Sequence, residues 1–589
     1  MTIKKSRLNH SFGVVSKLLY TSPEDVVIDD LPENPRDYLE LVKQPAIARV
    51  KDSARDEEVA IIGGGAAGLC AAYELMKAGL TPVIFEANDR LGGRISTYSF
   101  DKEPEAYAEL GAMRFPATQE TIFYYLDALK VKEKQSEYLD NGKWPLFPSP
   151  KATNTRFEFE NRSFFYNKEE DKYYGDFYLI QKVTTIEAKF QRLLDSDLDA
   201  LNQLDKSFLD GTSGLTEQQY AGKRMALWSK QVDKYQNKSL YEVIKNYRDE
   251  EMGSWTDEEI NLLGAIGIGT GGIGSLYNTC YLETLRECYN EDDTDQRMIV
   301  GGVDQLSNAF WEQPVKIAGA DRSKSLKDLH NGVFQRRVTK IKTNDCSGSV
   351  ELTYLEKGKE KTKTFSAAIL TCSVRAIQMG IKINRQAFSQ PVWDAIQNFG
   401  MVSSQKTFFL TRSAFWHQWN EDHPENAMFT TISDNALQQS YFFDKKDFGV
   451  DRQTGAGVVL VSYSWDSDAV KYLALTEEER KELTLNAFEE IYGHEARALL
   501  ESEIIEMKCV DWDLESGVNG AFRMAMPGQY GMQEALFNQG IGQSGPDNGL
   551  YLAGEALAWY GLSGWIEGSL HTGINAALSS IQRINSKAE

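Results

Sequence analysis

The 589-residue sequence predicts an α/β protein in which a parallel-sheet nucleotide-binding domain is interrupted by a mixed-sheet domain and a helical one. Three observations carry this. A strand, glycine turn, helix and second strand follow one another over residues 58–86. Long helical periodicities with charged faces fill 117–291. Short β-type runs return after residue 295, the last of them near the C-terminus. A chain of this length exceeds one core and divides into about two to four units.

The first unit is the most explicit. Val59-Ala60-Ile61-Ile62 is a short apolar strand, Ala66 to Lys77 reads as a helix of small residues stopped by Gly79, and Pro82-Val83-Ile84-Phe85 is the next strand. Between strand and helix lies Gly63-Gly64-Gly65-Ala66-Ala67-Gly68, a G-x-G-x-x-G motif. Gly63 permits the tight turn, Gly65 lets backbone approach a pyrophosphate, and Gly68 lets helix pack close to strand. The helix start at Ala66 and Ala67 offers N–H donors and partial positive charge to phosphates. Glycine loops that bind nothing share the motif. Its placement, and Glu86 at the end of the second strand to accept from ribose hydroxyls, argue for a nucleotide.

Residues 1–55 read as an irregular leader, and 134–175 as aromatic, charged loop with short strands. Helical periodicity covers Phe177 to Leu204 and Ser239 to Arg248. β-Type runs are Gly332 to Phe334, Val338 to Ile341, Val350 to Tyr354, Ala367 to Thr371 and Leu550 to Gly554, with a mixed block over 381–510. The implied division is a nucleotide domain from 56–104, 292–380 and 545–589, a substrate domain from 105–116 and 381–544, and a mainly helical domain over 117–291.

Composition removes several classes. With 64 Lys and Arg against 86 Asp and Glu, the net charge is −22, which repels nucleic acid and anionic membrane alike. Neither is an expected partner. Six cysteines without a CxxC pair and six histidines without HExxH predict no disulfide framework and no metal. No run of about 18 apolar residues exists, and no apolar run fit for a signal peptide follows Lys4, Lys5 and Arg7, so a cytoplasmic location is expected.

The stretch from Glu86 and Ala87 runs on into a second glycine turn, Gly92-Gly93-Arg94. Gly93 and Arg94 suit further backbone and cationic contacts to a longer dinucleotide. This stretch resembles the signature of the FAD-dependent amine oxidase superfamily, which includes monoamine, polyamine and L-amino-acid oxidases. The resemblance implies a Rossmann-like FAD-binding domain of the GR2 type, non-covalent FAD and a homodimer. Glu109-Leu110-Gly111-Ala112-Met113-Arg114-Phe115-Pro116 narrows it. L-Amino-acid oxidases and the bacterial tryptophan and lysine monooxygenases have a similar Gly-x-Met-Arg-Phe. The resemblance puts Gly111, Ala112 and Met113 beside the flavin and gives Arg114 the substrate carboxylate, which an arginine fork grips with two parallel hydrogen bonds. The open alternative is that Arg114 pairs with an internal carboxylate.

The resemblance assigns four further places. Tyr463 becomes the second partner of the substrate carboxylate, and Lys406 holds a water near the flavin N5. Gly554, Glu555, Gly564, Trp565 and Ile566 form the closing FAD motif, with Trp565 as a wall of the substrate pocket. Val338 meets the adenine through its backbone. Gly267 to Gly272, Asp295 to Gly302, Asp511 to Asp513 and Gly520 to Phe522 resemble tracts of the tryptophan and lysine enzymes without a role of their own. The implied activity is oxidation of the Cα–N bond of an L-amino acid by FAD, with O2 as the final acceptor. Release of the imine gives a 2-oxo acid, ammonia and hydrogen peroxide. This oxidase outcome is favoured because it needs no device to retain the imine. Oxidative decarboxylation to the amide by a monooxygenase is the alternative, and Arg114 disfavours a plain amine or polyamine substrate. An acidic pocket residue would select a basic side chain, but none can be located from sequence.

Overall fold

Every position of Val59–Ile62 and Ala367–Leu370 is apolar, the mark of parallel strands covered on both faces. The computed structural model describes residues 37–291, 294–344, 348–444, 455–542, 547–559 and 562–588. In it these two strands are the centre of a four-stranded parallel sheet, ordered Thr81–Phe85, Glu58–Ile62, Ala367–Leu370, Leu550–Leu552. Pro82 sits on the edge strand, where its missing N–H leaves no ladder bond unmade. Side chains alternate between two cores. Val59, Ile61 and Ile369 face the helices Ala66–Ala78 and Ile566–Lys587. Ala60, Ile62 and Leu370 face an antiparallel sheet built from Lys359–Phe365, Ser349–Glu356 and Arg337–Asn344, with Lys382–Ile383 at its edge. This is the Rossmann-like α/β domain. Gly79 ends the first helix with φ at +103°, its N–H bonded to the Leu75 and Met76 carbonyls.

The second large element is an eight-stranded sheet. Its order is Ile504–Asp511, Ser404–Thr411, Gly457–Trp465, Gln439–Phe443, Thr430–Ser433, Thr155–Phe159, Arg162–Asn167, Lys172–Gly175. The last three strands come from the stretch read as loop with short strands. They are shorter than the aromatic content hides, yet Thr155–Phe159 pairs in parallel with Thr430–Ser433 and carries the sheet onward. Helices Phe177–Leu209, Glu217–Tyr235, Leu240–Asn246, Asp257–Ile266 and Tyr281–Asn290 make up the helical part. Asp176 caps the first by accepting from Leu179 N, and Thr216 and Thr256 form capping boxes.

Two expectations are corrected. Gly332-Val333-Phe334 is turn and coil, because Gly332 at φ +72° breaks the extended run and only Gln335 bridges to Glu86. The later part of the supposed irregular leader is folded. Tyr38–Lys43 is a helix with Tyr38, Leu41 and Val42 buried; Asn575 Nδ2 donates to Tyr38 Oη at 2.9 Å and Lys77 Nζ to the Val42 carbonyl at 2.7 Å. Residues 1–36 lie outside the described residues. Among the described residues, no helix is long and apolar enough to cross a membrane. No group of three or more His, Cys, Asp or Glu among them could hold a metal.

Candidate active site

The carboxyl ends of parallel strands open a crevice wherever the strand order reverses. Here that crevice lies between Glu58–Ile62 and Ala367–Leu370, and it widens into a cavity of about 410 Å³. The cavity is lined by Gly63, Gly65, Ala66, Ala67, Glu86, Ala87, Gly93, Arg94 and Val338, and by Gly111, Ala112, Gly554, Glu555, Gly564, Trp565 and Ile566. Lys406 and Tyr463 line it too. Residues far apart in sequence are thus brought to one cleft.

Gly68 stands outside the lining. A Cβ there would meet the Gly63 carbonyl at 2.0 Å, so its task is the close packing of helix on turn. At Gly65, by contrast, the nearest protein atom to a Cβ is the Gly92 carbonyl at 3.7 Å, so a methyl would occupy the cradle and not the protein. No side chain caps the helix behind it, which leaves N–H groups facing the cleft. Polar backbone and Glu86 at one part of the cavity, and Trp512, Phe522, Trp565 and Ile566 at another, match the phosphate–sugar and ring portions of FAD. The donor set fits the cofactor. Gly68→Ala is expected to destabilise the protein by about 1–3 kcal/mol, whereas Gly65→Ala should leave the apoprotein melting temperature unchanged and weaken FAD binding. Calorimetry of apoprotein and a flavin-fluorescence titration separate the two.

Several side chains carry two tasks. The Glu86 carboxylate accepts from Gly64 N at 2.7 Å and Asn88 N at 2.8 Å, so it also ties the glycine loop to the second strand. Burial pushes its carboxyl up, and these N–H donors oppose that. Arg94 and Glu555 form an ion pair with each other in the cleft wall, Arg94 Nη1 also donates to the Ala521 carbonyl at 2.9 Å, and Glu555 accepts from Gly564 N at 2.9 Å. The two FAD motifs at opposite ends of the chain are therefore joined directly. Thr371 and Ser373, which sequence reasoning missed, line the cleft just beyond the strand that ends at Leu370. The crevice rule could have found them.

Of the residues expected beside the cofactor, Arg114 does not line the cleft and neither does Met113. Met113 packs into the main core and borders a second, small apolar cavity of about 30 Å³. Neighbouring Arg114 is 7 % exposed and surrounded by aromatic rings: its Cζ lies 5.9, 5.8 and 5.7 Å from the centroids of Phe147, Tyr463 and Trp465. Nη1 donates to the Thr270 carbonyl at 2.6 Å and to Tyr441 Oη at 3.4 Å. Thr270 belongs to the glycine tract that had no assigned role. Buried arginines elsewhere reach acids, as Arg480 does Asp511 at 2.7 Å and Arg523 does Glu283 at 2.7 Å. Arg114 reaches no carboxylate at ion-pair distance among the described residues. Glu287 is near enough to feel its charge; burial pushes that carboxyl up to about 7, Arg114 draws it down and Glu283 pushes it up further.

Lys406 is in register with Tyr463 across two neighbouring strands of the eight-stranded sheet, with Nζ 4.9 Å from the tyrosine ring centroid. Nζ donates to the Glu109 carbonyl at 2.8 Å and the Gly111 carbonyl at 2.6 Å. An ammonium has three donors, so one remains for a molecule in the cleft. Burial brings Lys406 down to about 7, Glu109 pulls it back up, and Arg114 lowers it further.

A family model for flavin-containing amine oxidoreductases matches residues 66–578. The tryptophan 2-monooxygenase of Pseudomonas savastanoi is 29% identical over 541 residues, covering 89% of this chain and 89% of that protein. That of Pantoea agglomerans pv. gypsophilae is 28% identical over 544 residues, 89% of this chain and 88% of its own. Among solved structures, a putrescine oxidase mutant superposes with a TM-score of 0.62 at 19% identity, over 90% of this chain and 99% of that one. Cyclohexylamine oxidase from Brevibacterium oxydans IH-35A gives 0.56 at 15% identity, again over 90% and 99%.

Proposed function

The chain belongs to the flavin-containing amine oxidoreductase family, and we propose that within it the protein is an L-amino-acid 2-monooxygenase. It would convert an L-α-amino acid and O2 into the amide one carbon shorter, CO2 and water. Economy alone favoured the oxidase outcome, which needs no device to retain the imine. Likeness to tryptophan 2-monooxygenases over nearly the whole chain supports the decarboxylating one. The observation that carries the amino-acid substrate is Arg114, a buried guanidinium with no carboxylate at ion-pair distance among the described residues.

Bound FAD supplies the two-electron acceptor and the site of O2 reduction. The protein's own part is binding and exclusion. Arg114 and the Tyr463 hydroxyl take the substrate carboxylate, which fixes Cα and lowers the entropic cost of reaction. The aromatic walls disfavour a charged amine by desolvation, so the neutral amine needed for imine formation is favoured. Aromatic side chains that line the cleft, Tyr463, Trp512, Phe522 and Trp565, keep water from the imine and so favour its oxidative decarboxylation by the peroxide formed from O2 over its hydrolysis. Lys406 holds a proton or a water at Nζ facing the cleft.

Oxygen uptake by the purified flavoprotein with L-amino acids, with and without catalase, tests the outcome. The expected result is uptake that catalase leaves unchanged, with one amide formed per O2. Uptake that catalase halves, with 2-oxo acid and ammonia, would make the protein an oxidase.

A second reading concerns the side chain. Tryptophan is named for the relatives, but Glu287 favours a basic one such as L-lysine. It is half-buried on the Tyr281–Asn290 helix, one turn from Glu283, and makes no ion pair among the described residues. Glu287→Gln is then expected to lower kcat/KM for L-lysine by about tenfold or more, the worth of a charged hydrogen bond, and to spare L-tryptophan. Equal effects on both would remove Glu287 from side-chain selection.

A further inference from the structure

The glycine tract over 267–272 meets Arg114 and its neighbours at two points. Its Thr270 carbonyl accepts from Arg114 Nη1 at 2.6 Å. Its Gly271 has no room for a side chain, because a Cβ there would collide with the amide of Gln439. Gln439 is buried and has no part in the binding scheme. It stands opposite Tyr463, which stands opposite Lys406, on three neighbouring strands of the large sheet.

Tyr441, two residues further along the same strand, joins Gln439 to Arg114. Its Oη donates to Gln439 Oε1 at 3.0 Å and accepts from Arg114 Nη1 at 3.4 Å. A phenol has one proton. With that proton held by Gln439, the hydroxyl turns a lone pair to the guanidinium. The ring is fixed edge-on to Phe147, with centroids 5.2 Å apart. Nη1 carries two hydrogens, and Thr270 and Tyr441 engage them. Nε and Nη2 donate to no group among the described residues.

We propose that Gln439 is a positioning residue for the substrate: through Tyr441 it fixes the Arg114 guanidinium so that the Nε–Nη2 edge grips the carboxylate of the amino acid. The proposal rests on the reading that Arg114 binds that carboxylate. Two parallel N–H groups on one edge match the two carboxylate oxygens. Without the Gln439 acceptor, the Tyr441 proton is free to point at Arg114, and Nη1 loses a partner. The fork is then no longer set in advance, and the substrate must order it on binding. That cost falls on affinity.

Anaerobic titration of the FAD-loaded protein with L-tryptophan, and separately with L-lysine, gives an apparent dissociation constant and a limiting rate of flavin bleaching. Gln439→Leu should raise the constant by about tenfold, as loss of one hydrogen bond serving a charged group does. The limiting rate and the FAD content should change far less. Tyr441→Phe keeps the ring and should have the same effect, so the test stays open if Gln439→Leu does not fold. The double variant should be no weaker than either single one, since both act through one hydroxyl. In an Arg114→Met background, Gln439→Leu should add no further loss, an outcome that a merely structural role would not give. An equal loss in that background, or no loss in either single variant, would overturn the proposal. Arg114→Met that itself leaves the constant unchanged would overturn the carboxylate clamp as well.

Discussion

Replacing Arg114 by Met is expected to cost catalysis heavily and stability nothing. Truncating one partner of a buried, hydrogen-bonded charge pair costs about 2–5 kcal/mol of binding, so the apparent affinity for an amino acid should fall by at least about 30-fold. FAD content should be unchanged, because Arg114 is not in the wall of the flavin cleft. Stability separates this role from a structural one. An arginine that anchored the fold would leave an orphaned acid behind it on removal, with a loss of about 3–5 kcal/mol. Arg114 leaves the Thr270 carbonyl and Tyr441 hydroxyl without its hydrogen bonds and breaks no ion pair among the described residues. Without substrate it is a desolvated cation among three rings, so Met of similar volume should hold or raise the melting temperature. A variant that loses both stability and FAD would contradict the assignment. Steady-state kinetics and calorimetry on the same preparation decide it.

The second large effect is expected at Lys406. Lys406→Met removes the cleft cation that donates to the Glu109 and Gly111 carbonyls and keeps a donor to spare. Loss of one preorganised donor at a site of developing charge costs about 10²–10³ in rate. That loss should fall on the return of reduced FAD to its oxidised form by O2, with anaerobic reduction by the amino acid altered far less. Stopped-flow measurement of each half-reaction separates them. Equal losses in both would place Lys406 in substrate binding.

The nucleotide half of this site was legible because its information is local. Gly63, Gly65, Gly68 and Glu86 are dictated by one turn, one helix start and one strand end, all within a single βαβ unit. The paired C-terminal motif could be placed but not joined to the first, since the Arg94–Glu555 ion pair is a tertiary fact. The substrate half was legible only as motifs. Arg114 and Tyr463 were visible, but Phe147, Thr270, Glu287 and Trp465 come from four separate segments with no common spacing. Met113 shares the Arg114 motif yet turns into the core, since adjacent residues point to different sides. The strands over 155–175 were legible only as short strands within a loop, because the pairing that joins them to the large sheet is between Thr155–Phe159 and Thr430–Ser433, far apart in sequence. The helix Tyr38–Lys43 escaped because short helices owe their stability to packing, here against Lys77, Tyr124 and Asn575.

The central claim is that a carboxylate bound by Arg114 makes this an amino-acid enzyme and not an amine oxidase. It is tested most directly by anaerobic titration of the FAD-loaded protein with an L-amino acid and, separately, with the amine left by its decarboxylation. L-Tryptophan with tryptamine and L-lysine with cadaverine are the pairs to use. The account predicts that the amino acid bleaches the flavin and its amine does not. Bleaching by the amine at an equal or greater rate would contradict it.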